Sequence, residues 1–310
     1  MRYHVRGFRD SQQHAAAIAG WQQVYAQLGP GRLSSELLLL SGERFQIIHE
    51  VFDKRVVQYG KAPADRFCVS LATAPTVDDP RGKAASPRLL MLRGGGEFVL
   101  HAPAGMALLS FCVDLERLRR LAEIELGAAE VARLTALPAL EVPLARLEAI
   151  RLAIFRHVGG LGRRRGDDDG LRERSLEETL MTLLLDLWLE LGGNTPRRGV
   201  GVSAYLVRQS QALVLAEPAR PPSVLELCER LNVSRRTLQD SFQREVGMPP
   251  VAFLRSLRLN AVRRKLASAA ARGATVGDVA QEMGFSHLSH FAANYHQLFG
   301  EYPSETWRRA

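Results

Sequence analysis

Between Ser234 and Val246 the chain sorts its side chains by chemistry. At about 100° per residue, Leu238, Phe242 and Glu245 fall on one side of a helix, and Arg236, Gln239, Asp240 and Gln243 on the other. The second set is long and rich in hydrogen-bonding groups. Arginine can donate two bonds to guanine, and glutamine can bond the adenine edge twice, so the row suits the readout of base edges in a major groove. Further on, Leu288, Phe291, Tyr295, Leu298 and Phe299 form one side of another helix, with Ser289, His290, Ala293, Asn294 and Gln297 opposite.

Each row needs a short preceding helix and a tight turn to hold it out from the protein. Ser223 to Ser234 supplies the first: Val224, Leu227 and Leu231 make an apolar face, Asn232 suits the turn, and Ser234 can cap the next helix. Thr275 caps a second short helix, Val276 to Met283, after which Gly284-Phe285 turns and Ser286 is expected to cap the following helix. Gly300 then stops that helix, and Pro303 follows. Between the two helix-turn-helix units, Pro250 to about Ala269 reads as one connecting helix carrying Arg255, Arg258, Arg263, Arg264 and Lys265. Its roughly 30 Å is close to the separation of about 34 Å between successive major grooves on one face of DNA.

The rest of the chain sets bounds. It has 310 residues, 46% hydrophobic and 24% charged, with a net charge of +8. Residues 204–310 hold 14 Arg and Lys against 9 Asp and Glu, a concentration of positive charge that suits a polyanion. From Leu37 to about Cys112 the pattern is strands and turns, with Phe45 to Val51 and Phe98-Val99-Leu100 as β-prone runs. Turns are expected at Asp78 to Gly82 and at Gly94-Gly95-Gly96. A short helix is expected from Ala15 to Leu28, and helical periodicity returns from Leu115. The clearest helix, Leu171 to Leu191, carries Leu176, Leu180, Leu183, Leu187 and Leu191, a stripe that can pack on its own domain or on a second subunit. Gly192 to Gly201 interrupts every pattern. The fold class is therefore α+β, with an effector-binding and dimerisation domain at 1–195, a linker at 196–203 and an all-α domain of two helix-turn-helix units at 204–310.

Several residues invite other chemistry. Arg235, Arg236, Arg263 and Arg264 would ordinarily be a solvated face; inside two such units they are read as DNA-facing. His287 and His290 diverge from His296 around the helix, and no carboxylate or Cys completes a shell, so no metal site is assigned. Gly160 to Gly166 has one residue too many for a dinucleotide loop and, followed by three aspartates, reads as an exposed charged loop. Trp21 and Tyr25, one helical turn apart, favour core over a ligand cage, and Cys228 favours core as well. Cys68, Cys112 and Cys228 are three isolated cysteines, which argues against a disulfide framework and for a reducing compartment. The opening residues lack the apolar core of a signal peptide and no stretch is apolar enough to span a bilayer, so the expected location is cytoplasmic.

As a set, Ala280, Gly284-Phe285, Phe291, Phe299-Gly300 and Pro303-Ser304 resemble the C-terminal signature of the arabinose-regulator (AraC/XylS) family of bacterial transcription factors. Arg258 to Leu266 resembles that family's connecting helix. Within the family, the ethanolamine-utilisation operon regulators offer the nearest likeness, on Val233 to Gln239 and Trp21 to Leu28. The resemblance implies a ligand-responsive regulator, with Arg236, Gln239 and Asp240 reading bases in the first unit and Ser289, His290 and Ala293 in the second. Ala293 offers a thymine methyl contact at most, so the first helix is expected to carry most direct readout. Ser234, Arg235, Gln243, Arg264, Ser286 and Asn294 are the candidates for phosphate contact and positioning.

The implied N-terminal domain is a small barrel-like sensor of an unidentified effector, with an amine or amino-alcohol the first class to consider. The implied partners are double-stranded DNA across two adjacent major grooves, RNA polymerase and a second copy of the chain; no cofactor is called for by DNA binding, and no membrane. Two other classes fit parts of the sequence. A DNA-repair or other enzyme fused to a helix-turn-helix domain would need an activated cysteine, and neither Cys68 nor Cys112 has such a motif around it. An architectural DNA-binding protein would explain the charge but not a large N-terminal domain.

Overall fold

In the computed structural model, residues 1–73, 88–161, 169–191, 201–268 and 273–309 are described. The expected turn at Asp78 to Gly82 lies outside them, as do most of the Gly160 to Gly166 loop and of the linker. Strand structure begins at Arg2, well before Leu37. Ten strands, β1 (Arg2–Phe8), β2 (Gln22–Gln27), β3 (Ser35–Ser41), β4 (Phe45–Phe52), β5 (Val56–Lys61), β6 (Arg66–Thr73), β7 (Arg88–Arg93), β8 (Glu97–Ala102), β9 (Ala107–Asp114) and β10 (Ala139–Glu141), form two antiparallel sheets. The larger has the order β1-β3-β4-β9-β6-β7-β10, and the smaller β2-β5-β8.

Alternation along the strands decides what each face of the large sheet meets. Phe45 and Ile47, Phe67, Val69 and Leu71, and Leu109, Phe111 and Val113 point to one side, where they share a core with Leu176, Leu180, Leu184 and Trp188. Those four belong to the long helix α5 (Asp169–Leu191), which shares this core with α2 (Leu115–Leu126), α3 (Ala128–Thr135) and α4 (Leu144–Leu161). Trp188 sits edge-on to Phe67 with ring centroids 5.5 Å apart. Each such leucine contributes about 2 kcal/mol by burial. The stripe of α5 thus packs on its own domain; Leu171, at its N-terminal end, is 66% exposed.

The opposite side of the large sheet carries Ile48, Glu50, Cys68, Ser70, Ser110 and Cys112 and faces the small sheet. In register, Cys68 lies opposite Cys112 and Ser70 opposite Ser110, the two hydroxyl oxygens 2.7 Å apart. Cys68 and Cys112 form a disulfide, contrary to the expectation from their isolation in sequence. A separation of 44 residues along the chain says nothing about adjacency across two paired strands.

The helix expected from Ala15 to Leu28 is a second correction. Helix α1 (Ser11–Ala16) is capped by Asp10 and ends early, and Gly20, with φ of 88°, turns the chain into β2. Gln23 and Tyr25 then share one face of β2 by strand alternation, with Trp21 just ahead of it. Tertiary pairing overrides a weak helical pattern.

The C-terminal third is α6 (Val202–Ala216), α7 (Val224–Leu231), α8 (Arg235–Val246), α9 (Pro250–Leu266), α10 (Val276–Glu282), α11 (Leu288–Phe299) and α12 (Pro303–Arg308). Its two halves differ in how they complete their cores. Leu206, Val207, Phe242 and Phe253 are buried together with Ala26, Leu28 and Val57 from the small-sheet region. Leu259, Val262, Phe291, Tyr295 and Phe299 instead form a core with no residue from the β-sheets.

Candidate nucleic-acid interface

The first unit is built by its caps. Ser223 and Glu226 make a reciprocal capping box at the start of α7, with Glu226 N donating to Ser223 Oγ (3.2 Å) and Ser223 N to Glu226 Oε2 (2.7 Å). Asn232 ends the helix at φ 52°, the one positive φ outside glycine among the described residues, and an asparagine tolerates that conformation. Ser234 Oγ accepts from Thr237 N at 3.0 Å and so starts α8. Leu238, Ser241 and Phe242 are buried, and Arg235, Arg236, Gln239, Asp240 and Gln243 are exposed. Arg236 is 92% exposed, with its Nε 3.9 Å from Asp240 Oδ2. A solvated pair of that kind holds little energy, so a base edge can displace it.

The second unit copies this plan with one change. Thr275 and Asp278 form the capping box of α10. Gly284 takes φ 75° at the turn, and a Cβ there would lie 2.9 Å from Pro221 Cδ and 3.0 Å from Ala219 O, so only glycine fits. Ser286 does not cap the next helix: the N-cap is His287, with no side-chain bond, because the turn is one residue longer than sequence spacing suggested. Ser289, His290 and Ala293 are exposed on α11, as is Ser286 ahead of it. Leu288, expected in the core, is 44% exposed. Asn294 is half-buried, donating to His290 O (2.7 Å) and accepting from Arg255 Nη1 (3.1 Å).

The connector's arginines do not form a free basic face. Arg255 holds Asn294, and Arg258 lies over the Phe285 ring at 4.8 Å. Arg263, read from sequence as DNA-facing, is buried between Asp10 (2.6 Å) and Glu301 (2.7 Å). Arg264 is half-buried against Tyr59 of β5. Of the candidates for phosphate contact, Ser234, Arg235, Gln243 and Ser286 are exposed near the recognition rows, whereas Asn294 and Arg264 are engaged within the protein. Among the described residues no group of three His, Cys, Asp or Glu side chains could hold a metal; His296 stacks on Tyr302 at 4.5 Å.

A helix-turn-helix domain family matches residues 227–309. Over 103 residues the chain is 34% identical to the "probable thc operon regulatory protein" of Rhodococcus erythropolis, covering 33% of this chain and 31% of the relative. Over 87 residues it is 34% identical to the "XylDLEGF operon transcriptional activator" of Pseudomonas putida, 28% of this chain and 27% of that one. A solved "probable AraC family transcriptional regulator" from Rhodopseudomonas palustris CGA009 is 38% identical, covering 34% of this chain and 97% of that one with a TM-score of 0.32. Residues 227–309 are an AraC-type helix-turn-helix domain. The chain matches less than a third of the length of the two curated relatives.

The AraC-type domain is gripped from behind by the β-sheet region. Arg55 Nη1 donates to Gly247 O (3.1 Å) at the end of α8, and Arg32 Nε to Gly300 O (3.3 Å) at the end of α11. Gly31 N donates to Gln297 O (3.1 Å) and Gln27 Nε2 to Leu298 O (2.7 Å). These are carbonyls that a helix C-terminus leaves unpaired, where its dipole favours positive charge. Both recognition helices are thus held at the end that follows their exposed rows.

A cavity of about 470 Å³ lies between the two sheets and runs around the edge strand β8 to α6 and α8 of the helical region. Trp21, Gln23, Tyr25, Glu50, Gln58 and His101 line it, with Leu90, Phe98, Leu100 and Leu108 among its apolar walls. Trp21 and Tyr25 both line this cavity, and, as expected from sequence, Tyr25 belongs to a buried core against which Trp21 packs. Glu50 is 3% exposed and meets His14 Nε2 at 3.0 Å. Gln58 Nε2 and His101 Nδ1 are buried without a hydrogen-bond partner among the described residues. Burial pushes His101 down to about 4, so it is neutral at physiological pH. Sequence reading missed Glu50 and Gln58, although a polar residue amid Ile47-Ile48 or Val56-Val57 was a signal.

Proposed function

We propose that this chain is a sequence-specific DNA-binding regulator of transcription, acting on a catabolic operon as an activator in response to a small molecule. The observation that carries the reading is the pair of exposed rows on α8 and α11, each set on a capped helix-turn-helix frame within the AraC-type domain. The operon regulators to which that domain is similar support it. Arg236, Gln239 and Asp240 read bases, Ser289, His290 and Ala293 add contacts in the neighbouring groove, and Ser234, Arg235, Gln243 and Ser286 meet phosphates.

The sensor is the β-sheet region with its cavity, whose volume and mixed lining suit a small organic effector. An amine or amino-alcohol is compatible with the buried Glu50. The division into 1–195 and 204–310 joined by a linker remains our reading of the chain, as do RNA polymerase and a second copy as partners. No helix among the described residues is long and apolar enough to cross a membrane; the cytoplasm is the compartment proposed. Regulation without catalysis accords with Cys68 and Cys112 bonded to each other and Cys228 buried.

The test is selection of randomised duplexes by the full chain. Enrichment of one motif spanning two adjacent major grooves is expected, with affinity falling steeply as salt rises. Equal retention of all sequences would leave an architectural role instead.

A further inference from the structure

The mouth of the cavity is polar in an unusual way. Ala204 and Arg208, one turn apart on α6, and Glu245 on α8 form its outer wall. Arg244 Nη1 donates to Ser203 Oγ at 2.8 Å and pins α8 to α6, and Ala204, Arg208 and Glu245 from these two helices line the same cavity. Neither the Arg208 guanidinium nor the Glu245 carboxylate makes an ion pair or side-chain hydrogen bond among the described residues. Glu245 is half-buried, and burial pushes its pKa up, so its ionised form is costly where it stands. The neighbouring Arg244 offsets part of that cost, and a cationic group placed against the carboxylate would relieve more of it, while the exposed Arg208 guanidinium can pair with an anionic group. Behind these two charges the cavity offers aromatic and aliphatic walls, Trp21, Phe98 and Leu100 among them.

We propose that the cavity takes a small zwitterion with an apolar body, of the chemical class of an amino acid with an aromatic or large aliphatic side chain. Its ammonium meets Glu245, its carboxylate meets Arg208, and its side chain occupies the space between the sheets. The inference rests on the cavity being the sensor site and names both its ligand class and its contact with the reader. Glu245 lies on the recognition helix itself, so the ligand touches the element that carries Arg236 and Gln239.

Three probes of one body separate the charges: L-phenylalanine, phenethylamine and 3-phenylpropanoate, titrated against the full chain by calorimetry. L-Phenylalanine is expected to bind at least about tenfold more tightly than either singly charged analogue, the loss of one charged anchor being worth that much. Arg208→Gln should bring L-phenylalanine down to the level of phenethylamine, and Glu245→Gln down to that of 3-phenylpropanoate. An analogue that binds the native chain as tightly as L-phenylalanine overturns the proposal, as does absence of L-phenylalanine binding or its retention in both variants. DNA binding by the same preparations is measured separately, so failure of the regulator reading and failure of the ligand class are told apart.

Discussion

The side chain of Asn260 pairs with the backbone of Gln27 across 233 positions of sequence. Gln27 N donates to Asn260 Oδ1 (2.9 Å), and Asn260 Nδ2 donates to Gln27 O (2.8 Å), both within a buried contact. An amide on the connecting helix thereby serves one residue of β2 as a neighbouring strand would, and fixes α9 against the small sheet. Replacing Asn260 by Leu leaves a buried N–H and a buried C=O unpaired, at a cost of about 3 kcal/mol. Denaturant unfolding of the full chain should show it; a shift below 1 kcal/mol would mean that water or a local rearrangement satisfies both groups.

Readout is expected to be unequal between the two rows. Arg236→Ala and Gln239→Ala should each cost about 1–3 kcal/mol on the selected site and little on scrambled DNA. His290→Ala should cost less, and Ala293→Ser less again. Competition binding at one fixed salt concentration ranks them. If His290→Ala erased discrimination while Arg236→Ala weakened both duplexes alike, the assignment would be reversed.

Acid should loosen the junction through His101. Its imidazole ionises near 4 in the folded chain, against about 6.5 when unfolded. The unfolded state therefore binds more protons between these values. The contribution is fully present above pH 6.5, declines as pH falls, and is gone below 4, a loss of about 3 kcal/mol. His101→Leu should flatten that part of the stability profile. Parallel profiles for the two proteins would place the acid sensitivity elsewhere.

A fragment of residues 201–310 should bind DNA with reduced stability. Its first unit loses Ala26, Leu28 and Val57 from a shared core, so Leu206 and Phe253 become exposed to solvent. The fragment is expected to melt below the full chain and to bind an apolar dye, since exposed apolar surface is what such dyes detect. Equal melting temperatures without dye binding would show that this junction adds no stability.

How far the sequence discloses this molecule depends on the range of the interactions involved. Capping, turn and face signals are local, and residues such as Asn232, Ser234 and Thr275 took the places read from spacing alone. Ser286 failed by a single residue, within the ordinary uncertainty of a helix boundary. Arg263 failed for a different reason: its partner Asp10 lies 253 residues away, and a helical wheel assigns a face without saying what covers it. The same limit hid the cavity. Tyr25, Gln58 and Leu100 become neighbours only through strand register, and Cys68 meets Cys112 in the same way.

The small sheet has a property that bears on how such a chain can change over generations. Tyr25, Gln58 and Leu100 point into the cavity, while Ala26 and Val57 belong to the core of the first helix-turn-helix unit and His101 meets Phe253 at 5.7 Å. Alternate positions of one ribbon thus serve different ends, Tyr25, Gln58 and Leu100 facing the space between the sheets and Ala26 and Val57 the helical unit, with His101 at the edge strand touching both. If the cavity is the sensor site proposed above, substitutions in the inward row would retune which molecule is sensed while leaving the helical unit's support in place. A diversified library confined to positions 25, 58 and 100 would therefore be a direct route to regulators with new inducers.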